Sequence, residues 1–449
     1  MESKIAAKAE EKAGKIVDLL GELVRIPSLT GEEGKGQDFV ASYLRGLGLE
    51  VDQWEPDIKE LFDKFPDVAQ YPTHWQHDLI LPYETLPTYE ALMESRKMDV
   101  LNYRGRPNVV GRLTGEGGGK SLILNGHIDT VTIEPVGEWT HDPFGAEISD
   151  DTMFGRGVSD MKAGVIAGLI ALECLVELGV PLRGDVIFQS VVKEEHAGNG
   201  TLSCVARGYT ADAAIVMEPT KNEVWNGNTG GVYWGAKLKG RPRPTGARWA
   251  GRTQEGVSAM ERLPHLINQL MDLERRLNAQ ARHPDLPEQN SLSITIGRVR
   301  GGHYDTVTAS ECVLNGCAYF GSEVGTVLEV MEHLRQTVGR ANEADPLLRD
   351  LPAEVFFLHH DDTSEVDRDE PIIRTLVSVG EKVLGEKPPV YRGNVSCDMR
   401  HLVNQGGIPT LVFGPGSWDL IHSPDEFIPL RALVPCVQTL ALTIYEWCK

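Results

Sequence analysis

The chain has 449 residues, of which 41% are hydrophobic and 24% charged, and its formal net charge is −21. That apolar share can build a substantial core, so an intrinsically disordered or low-complexity chain is excluded. The negative balance argues against nucleic acid or an anionic membrane surface as partner, and no run of about 18 apolar residues offers a membrane helix.

Residues 5–24 carry apolar positions at helical spacing, interrupted throughout by charge, and read as an amphipathic helix rather than a signal peptide. The seven cysteines are odd in number and match neither a zinc ribbon nor a disulfide framework. Free thiols in a reducing cytoplasm are the expectation. A polar turn over 28–33 leads into a second amphipathic helix, 37–47. Residues 56–108, rich in Pro, Tyr and Trp, read as an insertion with one or two short helices. Strands are expected at 108–113 and 121–125, a helix at 161–178, and further strands at 185–192 and 213–217. Strands alternating with helices predict an α/β sheet with functional residues at strand ends.

The pattern changes after Trp225. A strand at 232–239, a helix at 255–276, strands at 291–300 and 311–320, a helix at 324–340 and a strand at 354–359 follow the β-α-β-β-α-β order of a ferredoxin-like unit. From Pro371 the alternation resumes, with a helix at 372–384, a strand at 410–413 and a closing helix at 430–447. The predicted class is therefore α/β. Residues 1–225 and 361–449 make one domain on a mixed, largely parallel sheet, and 226–360 form an inserted ferredoxin-like α+β domain.

Several apolar strands run into polar residues that could carry chemistry. Asn125-Gly126-His127-Ile128-Asp129-Thr130 ends one of them. Two apart in extended chain, His127 and Asp129 point the same way, and a carboxylate can orient the ring of a ligating imidazole. An HxD triplet is by itself more often a simple turn. Asp160, in Gly155-Arg156-Gly157-Val158-Ser159-Asp160, precedes the 161–178 helix as an N-cap would, a place from which it could also bridge two cations. Glu194 and Glu195 stand side by side after a buried strand, costly unless a cation neutralises them. Met217-Glu218-Pro219-Thr220 repeats the scheme, and His422 follows Gly414-Pro415-Gly416 near the end of the chain. The stretch from Gly115 to Ser121 has the look of a phosphate loop, but Thr114 stands in place of its first glycine and a strand follows where a helix is required. There is no GxSxG elbow.

Taken in order, GHIDTV, Trp139 to Phe144 as W-x-x-D-P-F, GRGVSDMKAG, EEHAGNGT, MEPT and HSPDEF make the chain resemble the M20 metallopeptidase family over nearly its whole length outside 56–108. That family includes acetylornithine deacetylase, succinyl-diaminopimelate desuccinylase, aminoacylase and bacterial carboxypeptidase G. The resemblance implies a dinuclear centre in which His127 and Glu218 hold one metal, Glu195 and His422 hold the other, and Asp160 bridges both. It also implies Glu194 as general base, Asp129 as the partner that orients His127, and a homodimer formed through the inserted domain. Imidazole and carboxylate donors without thiolate suit zinc, with cobalt or manganese as substitutes. Two such ions can lower the pKa of a shared water toward neutrality, while Glu194 carries its proton to the leaving nitrogen.

The inserted domain departs from the family pattern. Where the family has a histidine that helps hold the oxyanion, Trp249 stands next to Arg248, and no His lies between His196 and His265. The substrate-binding Asn after Gly-Gly falls near Asp305 or Thr306, and Tyr319 and Phe320 occupy the strand that often carries an Arg. Arg248 could supply the missing donor, or Arg248 and Trp249 are ordinary surface residues. The leading expectation is a hydrolase of a small-molecule amide whose substrate is bulkier, aromatic or less anionic than acetylornithine. Hydrolysis of a non-peptide C–N bond and a catalytically silent metal-binding homologue are the alternatives, and the intact ligand set and base argue against silence.

Overall fold

The computed structural model describes residues 1–66, 68, 102–252, 255–284 and 288–449. Within the expected insertion the helix Ile58–Lys64 is present, its N-terminus capped by the Asp57 carboxylate, which accepts from the backbone N–H groups of Lys59 (2.9 Å) and Glu60 (3.4 Å). Most of that insertion lies outside the described residues.

A nine-stranded mixed sheet forms the larger part of the molecule. Its hydrogen-bonded order runs Glu50–Trp54, Asn108–Leu113, Val186–Val191, Leu122–His127, Ala213–Val216, Thr410–Val412, Val224–Asn228 and Ser364–Glu365, with Val390–Arg392 also paired to Val224–Asn228. The four central strands are mutually parallel and the first two antiparallel. Side chains alternate across this sheet, so successive residues of one strand enter different cores. Leu122, Leu124, Phe188 and Ile215 pack into one cluster, with the helices Ala163–Glu177 and Leu433–Cys448. Ile123, Ile187, Ala214 and Val216 pack into the other, with Met399 and Leu402 of the helix Met399–Asn404. Both faces are thus covered, which is why these strands read as continuous apolar runs. Gly164 lets the long helix approach this sheet: a Cβ there would stand 2.0 Å from the Met217 carbonyl oxygen.

The second sheet has four antiparallel strands in the order Leu292–Gly301, Glu311–Phe320, Gly230–Lys239, Glu354–Asp361. With helices Leu263–Gln280 and Val327–Ala344 between its strands, it has the ferredoxin-like plan. Two short connections join it to the larger sheet, Asn228 to Gly230 and Asp361 to Ser364. A small three-stranded sheet, Glu147–Ser149, Thr152–Phe154 and Phe427–Pro429, brings the C-terminal part of the chain onto the loop before Asp160.

Two elements differ from the expectation. The first helix is two, Glu2–Glu11 and Ala13–Val24, broken at Lys12. Lys12 is buried, and its Nζ sits 2.9 Å from Glu177 and 3.4 Å from Glu173, so the break turns a cation onto the acidic end of a core helix. The helix expected from Glu255 starts at Leu263, with Pro264 in its first turn. Val257 instead bridges Arg241 as extended chain.

Candidate metal centre and cleft

Parallel topology places the candidate residues together. His127 is the last residue of its strand, and Glu194, Glu195 and Glu218 follow the two strands flanking it. His422 lies in the loop after Thr410–Val412, the next strand across. All therefore emerge at the carboxyl ends of adjacent parallel strands, the edge at which open α/β sheets assemble sites.

Asp160 sits between the two histidines. Its Oδ1 is 3.0 Å from His127 Nε2 and its Oδ2 is 3.2 Å from His422 Nε2. His127 Nε2 is also 3.7 Å from Glu218 and 4.0 Å from Glu194, and His422 Nε2 is 3.0 Å from Glu195. Donor atoms of His127, Asp160 and Glu195 lie within 4.8 Å of one another, as do those of His127, Glu194 and Glu218. Imidazole and carboxylate donors at this spacing fit one or two divalent cations of the zinc, cobalt or manganese type.

The electrostatics point the same way. Burial, reinforced by Asp398, pushes the Glu194 carboxyl well above the usual range. Burial raises Glu195 also, and Glu218 to about 8 despite the neighbouring His127. Asp160 goes the other way: burial would raise it, but hydrogen bonds from His127 and His422 outweigh that and hold it well below the usual range. Both imidazoles are held charged against burial, His127 chiefly by Glu218 and His422 chiefly by Glu195. Four clustered carboxylates thus draw on protons for compensation that cations would otherwise give.

Asp129 works differently from the expectation. His127 Nδ1 is 2.9 Å from the Asp129 carbonyl and 3.7 Å from its carboxylate. The carboxylate accepts from the backbone N–H groups of Glu194 (3.0 Å) and Glu195 (3.2 Å) and from the Thr30 hydroxyl (2.8 Å). One residue therefore fixes both the ring and the loop that carries the glutamates. Asp160 is not a helix N-cap either. The helix begins at Ala163, and the Asp160 backbone is extended, with φ −115° and ψ 98°.

Glu426 holds that turn. Its two oxygens accept from the N–H groups of Gly157 (3.1 Å), Ser159 (2.9 Å) and Asp160 (3.0 Å) and from Arg156 (2.6 Å). The sequence displays Glu426 inside HSPDEF, but nothing there says that it reaches back across 266 residues to Asp160. Asp398 and Arg400 also escaped the sequence reading. Both are buried near Glu194 and sit within Ser396-Cys397-Asp398-Met399-Arg400, where only charges set among apolar residues hint at them.

A cleft of about 240 Å³ opens over the centre, lined by Asp160, Glu194, Glu195, Glu218 and His422 on one side. Trp225, Tyr233, Tyr319, His359, Asp361, Arg400 and Trp418 line the rest. Tyr319, in the strand position that often carries an Arg in the family, is thus a wall residue. Arg248 and Asp305 are not brought to this cleft within the chain. They line a separate hollow beside His303, where Arg248 pairs with Glu261. Trp249, on the same short helix as Arg248, is 92% exposed.

This fold and strand-end site define a hydrolase of C–N bonds, and the chain belongs to peptidase family M20/M25/M40, whose family model matches residues 123–446. Among its relatives are N-formyl-4-amino-5-aminomethyl-2-methylpyrimidine deformylases. That of Halalkalibacterium halodurans is 34% identical over 371 residues, covering 77% of this chain and 84% of its own. That of Bacillus subtilis is 28% identical, covering 98% and 96%. An acetylornithine deacetylase from Erwinia tasmaniensis is 27% identical over 75% of this chain and 82% of its own. Human carnosine dipeptidase 1 shares the fold with a TM-score of 0.70 at 16% identity, over 100% of this chain and 98% of its own.

Proposed function

We propose that this protein is a dinuclear amidohydrolase that removes a small acyl group, formyl foremost, from an aminomethyl-substituted aromatic heterocycle. The observation that carries the reading is the pairing of the strand-end carboxylate cluster with a wall of Trp225, Tyr233, Tyr319 and Trp418 across a cleft of only about 240 Å³. Rings of this kind favour a flat aromatic group. The cleft's guanidinium, Arg400, is already matched by Asp361 at 3.1 Å, an arrangement that disfavours a substrate carboxylate. The two pyrimidine deformylase relatives support the same substrate class.

In this reading His127 and Glu218 would hold one divalent cation and Glu195 and His422 a second, with Asp160 shared between them. Zinc suits the donors best, and two such ions would supply an acidified water and a polarised carbonyl. Glu194 takes the proton of the attacking water and returns it to the amide nitrogen, so that formamide and water become formate and free amine. Its raised pKa suits a group that must both accept and give up a proton. Asp129 and Glu426 hold the ligands in place.

We further propose a cytoplasmic homodimer formed through residues 226–360, where, among the described residues, no strand pairs the outer edge of Leu292–Gly301 and Trp249 is exposed. Light scattering at micromolar concentration is expected to give twice the chain mass, and a monomer would remove that part. The test of the main reading joins metal analysis to a substrate panel. Two ions per chain and hydrolysis of N-formyl aminomethylpyrimidine, with N-acetyl amino acids poor, are expected. Efficient cleavage of N-acetyl amino acids with the heteroaromatic formamide untouched would overturn it.

A further inference from the structure

The cleft also carries a charged cluster that the hydrolytic chemistry does not use. Asp361 ends the last strand of the four-stranded sheet and is 9% exposed. Its Oδ1 is 3.0 Å from His359 Nε2, a hydrogen bond, and 3.1 Å from Arg400 Nη2, an ion pair. Among the described residues no hydrogen bond reaches Oδ2, although Asp361 lines the cleft. Burial would raise this carboxyl, but His359 and Arg400 outweigh it and hold Asp361 well below the usual range, so it is an anion that can only accept. Arg400 is itself anchored on Ser396 (3.0 Å). The Tyr233 ring lies 5.4 Å from the His359 ring, and the Tyr233 and Tyr319 hydroxyls are 3.4 Å apart. A fixed carboxylate oxygen thus stands beside two tyrosine rings.

Resting on the reading of the preceding section, we propose that Asp361 is the specificity-determining residue of this cleft: its Oδ2 accepts from the amino group of an amino-substituted heteroaromatic ring, which Tyr233 and Tyr319 flank. His359 and Arg400 act as positioning residues, fixing the carboxylate through Oδ1. A carboxylate already paired on one oxygen repels a substrate anion and rewards an N–H donor. The site therefore selects on the amine half of the substrate, whereas the strand-end cluster acts on the acyl half.

The experiment compares the N-formyl derivative of 4-amino-5-aminomethyl-2-methylpyrimidine with the same compound lacking the 4-amino group. The wild-type enzyme is expected to favour the amino compound by about 10- to 100-fold in kcat/KM, the size of one hydrogen bond to a charged group. Asp361→Asn should reduce that ratio to below about threefold. Tyr319→Leu, at a side chain 36% exposed and tolerant of change, should raise KM for both pyrimidines with little change in kcat. Should Asp361→Asn not fold, the wild-type ratio and the Tyr319→Leu constants decide. A wild-type ratio near one, or a ratio kept in Asp361→Asn, overturns the assignment of Asp361. An unchanged KM in Tyr319→Leu overturns the flanking role. Failure of the wild-type enzyme on both pyrimidines would instead overturn the parent reading.

Discussion

The two walls of the cleft are built by different rules. The metal-facing wall comes mostly from loops at the ends of neighbouring parallel strands of one sheet, with Asp160 added from the turn after Thr152–Phe154. The rest of the lining gathers Tyr233 and Tyr319 from adjacent strands of the four-stranded sheet, Asp361 from its last strand, and Arg400 from a helix packed on the large one. The first wall sets what reaction is possible. In the proposed function the second sets which molecule fits.

Substitutions should separate the two walls. The largest effect is expected at the base: Glu194→Gln should cut kcat by about a hundred- to ten-thousand-fold on every substrate, with metal content and fold kept. Near-normal turnover would move the base elsewhere. His127→Ala or Asp160→Ala should lose metal as well as rate, which metal analysis of the purified variants will read. Next comes Glu426→Gln, which weakens the clamp on the Gly157–Asp160 turn without touching a donor atom. About a 10- to 100-fold loss of metal affinity is expected, as for other residues that orient ligands. Affinity equal to wild type would show that the turn holds itself.

A smaller, pH-dependent effect should appear in chelated protein. Glu218 is held up at about 8 against its ordinary 4.5, so between those values the folded state binds more protons than the unfolded one. Stability then falls as pH rises through that window. Glu194, Glu195, His127 and His422 shift the same way, while Asp160 opposes them only in stronger acid. With zinc the trend should reverse, because the ligands must be deprotonated to bind. Melting temperatures from pH 5 to 8, with and without zinc, check this. Parallel curves for the two forms would mean that the cluster is not where the cations sit.

How much of this was legible beforehand follows from the same physics. Period and composition located five strands of the large sheet and the four of the second to within a few residues, because strands buried on both faces must be apolar runs, but not Glu50–Trp54, Val224–Asn228, Ser364–Glu365 or Val390–Arg392. The grouping of His127, Asp160, Glu195, Glu218 and His422 was legible through the resemblance of their local motifs to the M20 family, and the structure brings these residues together. The break at Lys12 was not, since it depends on Glu173 and Glu177 of a distant helix. Nor was the start of the Leu263–Gln280 helix, where Val257 prefers a bridge to Arg241 over a further helical turn.

By itself the sequence determined the class of fold, the β-α-β-β-α-β order of the smaller sheet and the donor types for metal. Each of these depends on neighbours in the chain. Only the tertiary structure decided that Glu426 holds the Asp160 turn, that Asp129 meets His127 through its carbonyl, and that Arg248 and Asp305 stand away from the cleft while Tyr233, Tyr319 and Asp361 line it. Hydrogen bonds and packing between segments far apart in sequence carry no periodic signature, and the lining around Tyr233, Tyr319, Asp361 and Arg400 is made almost entirely of them.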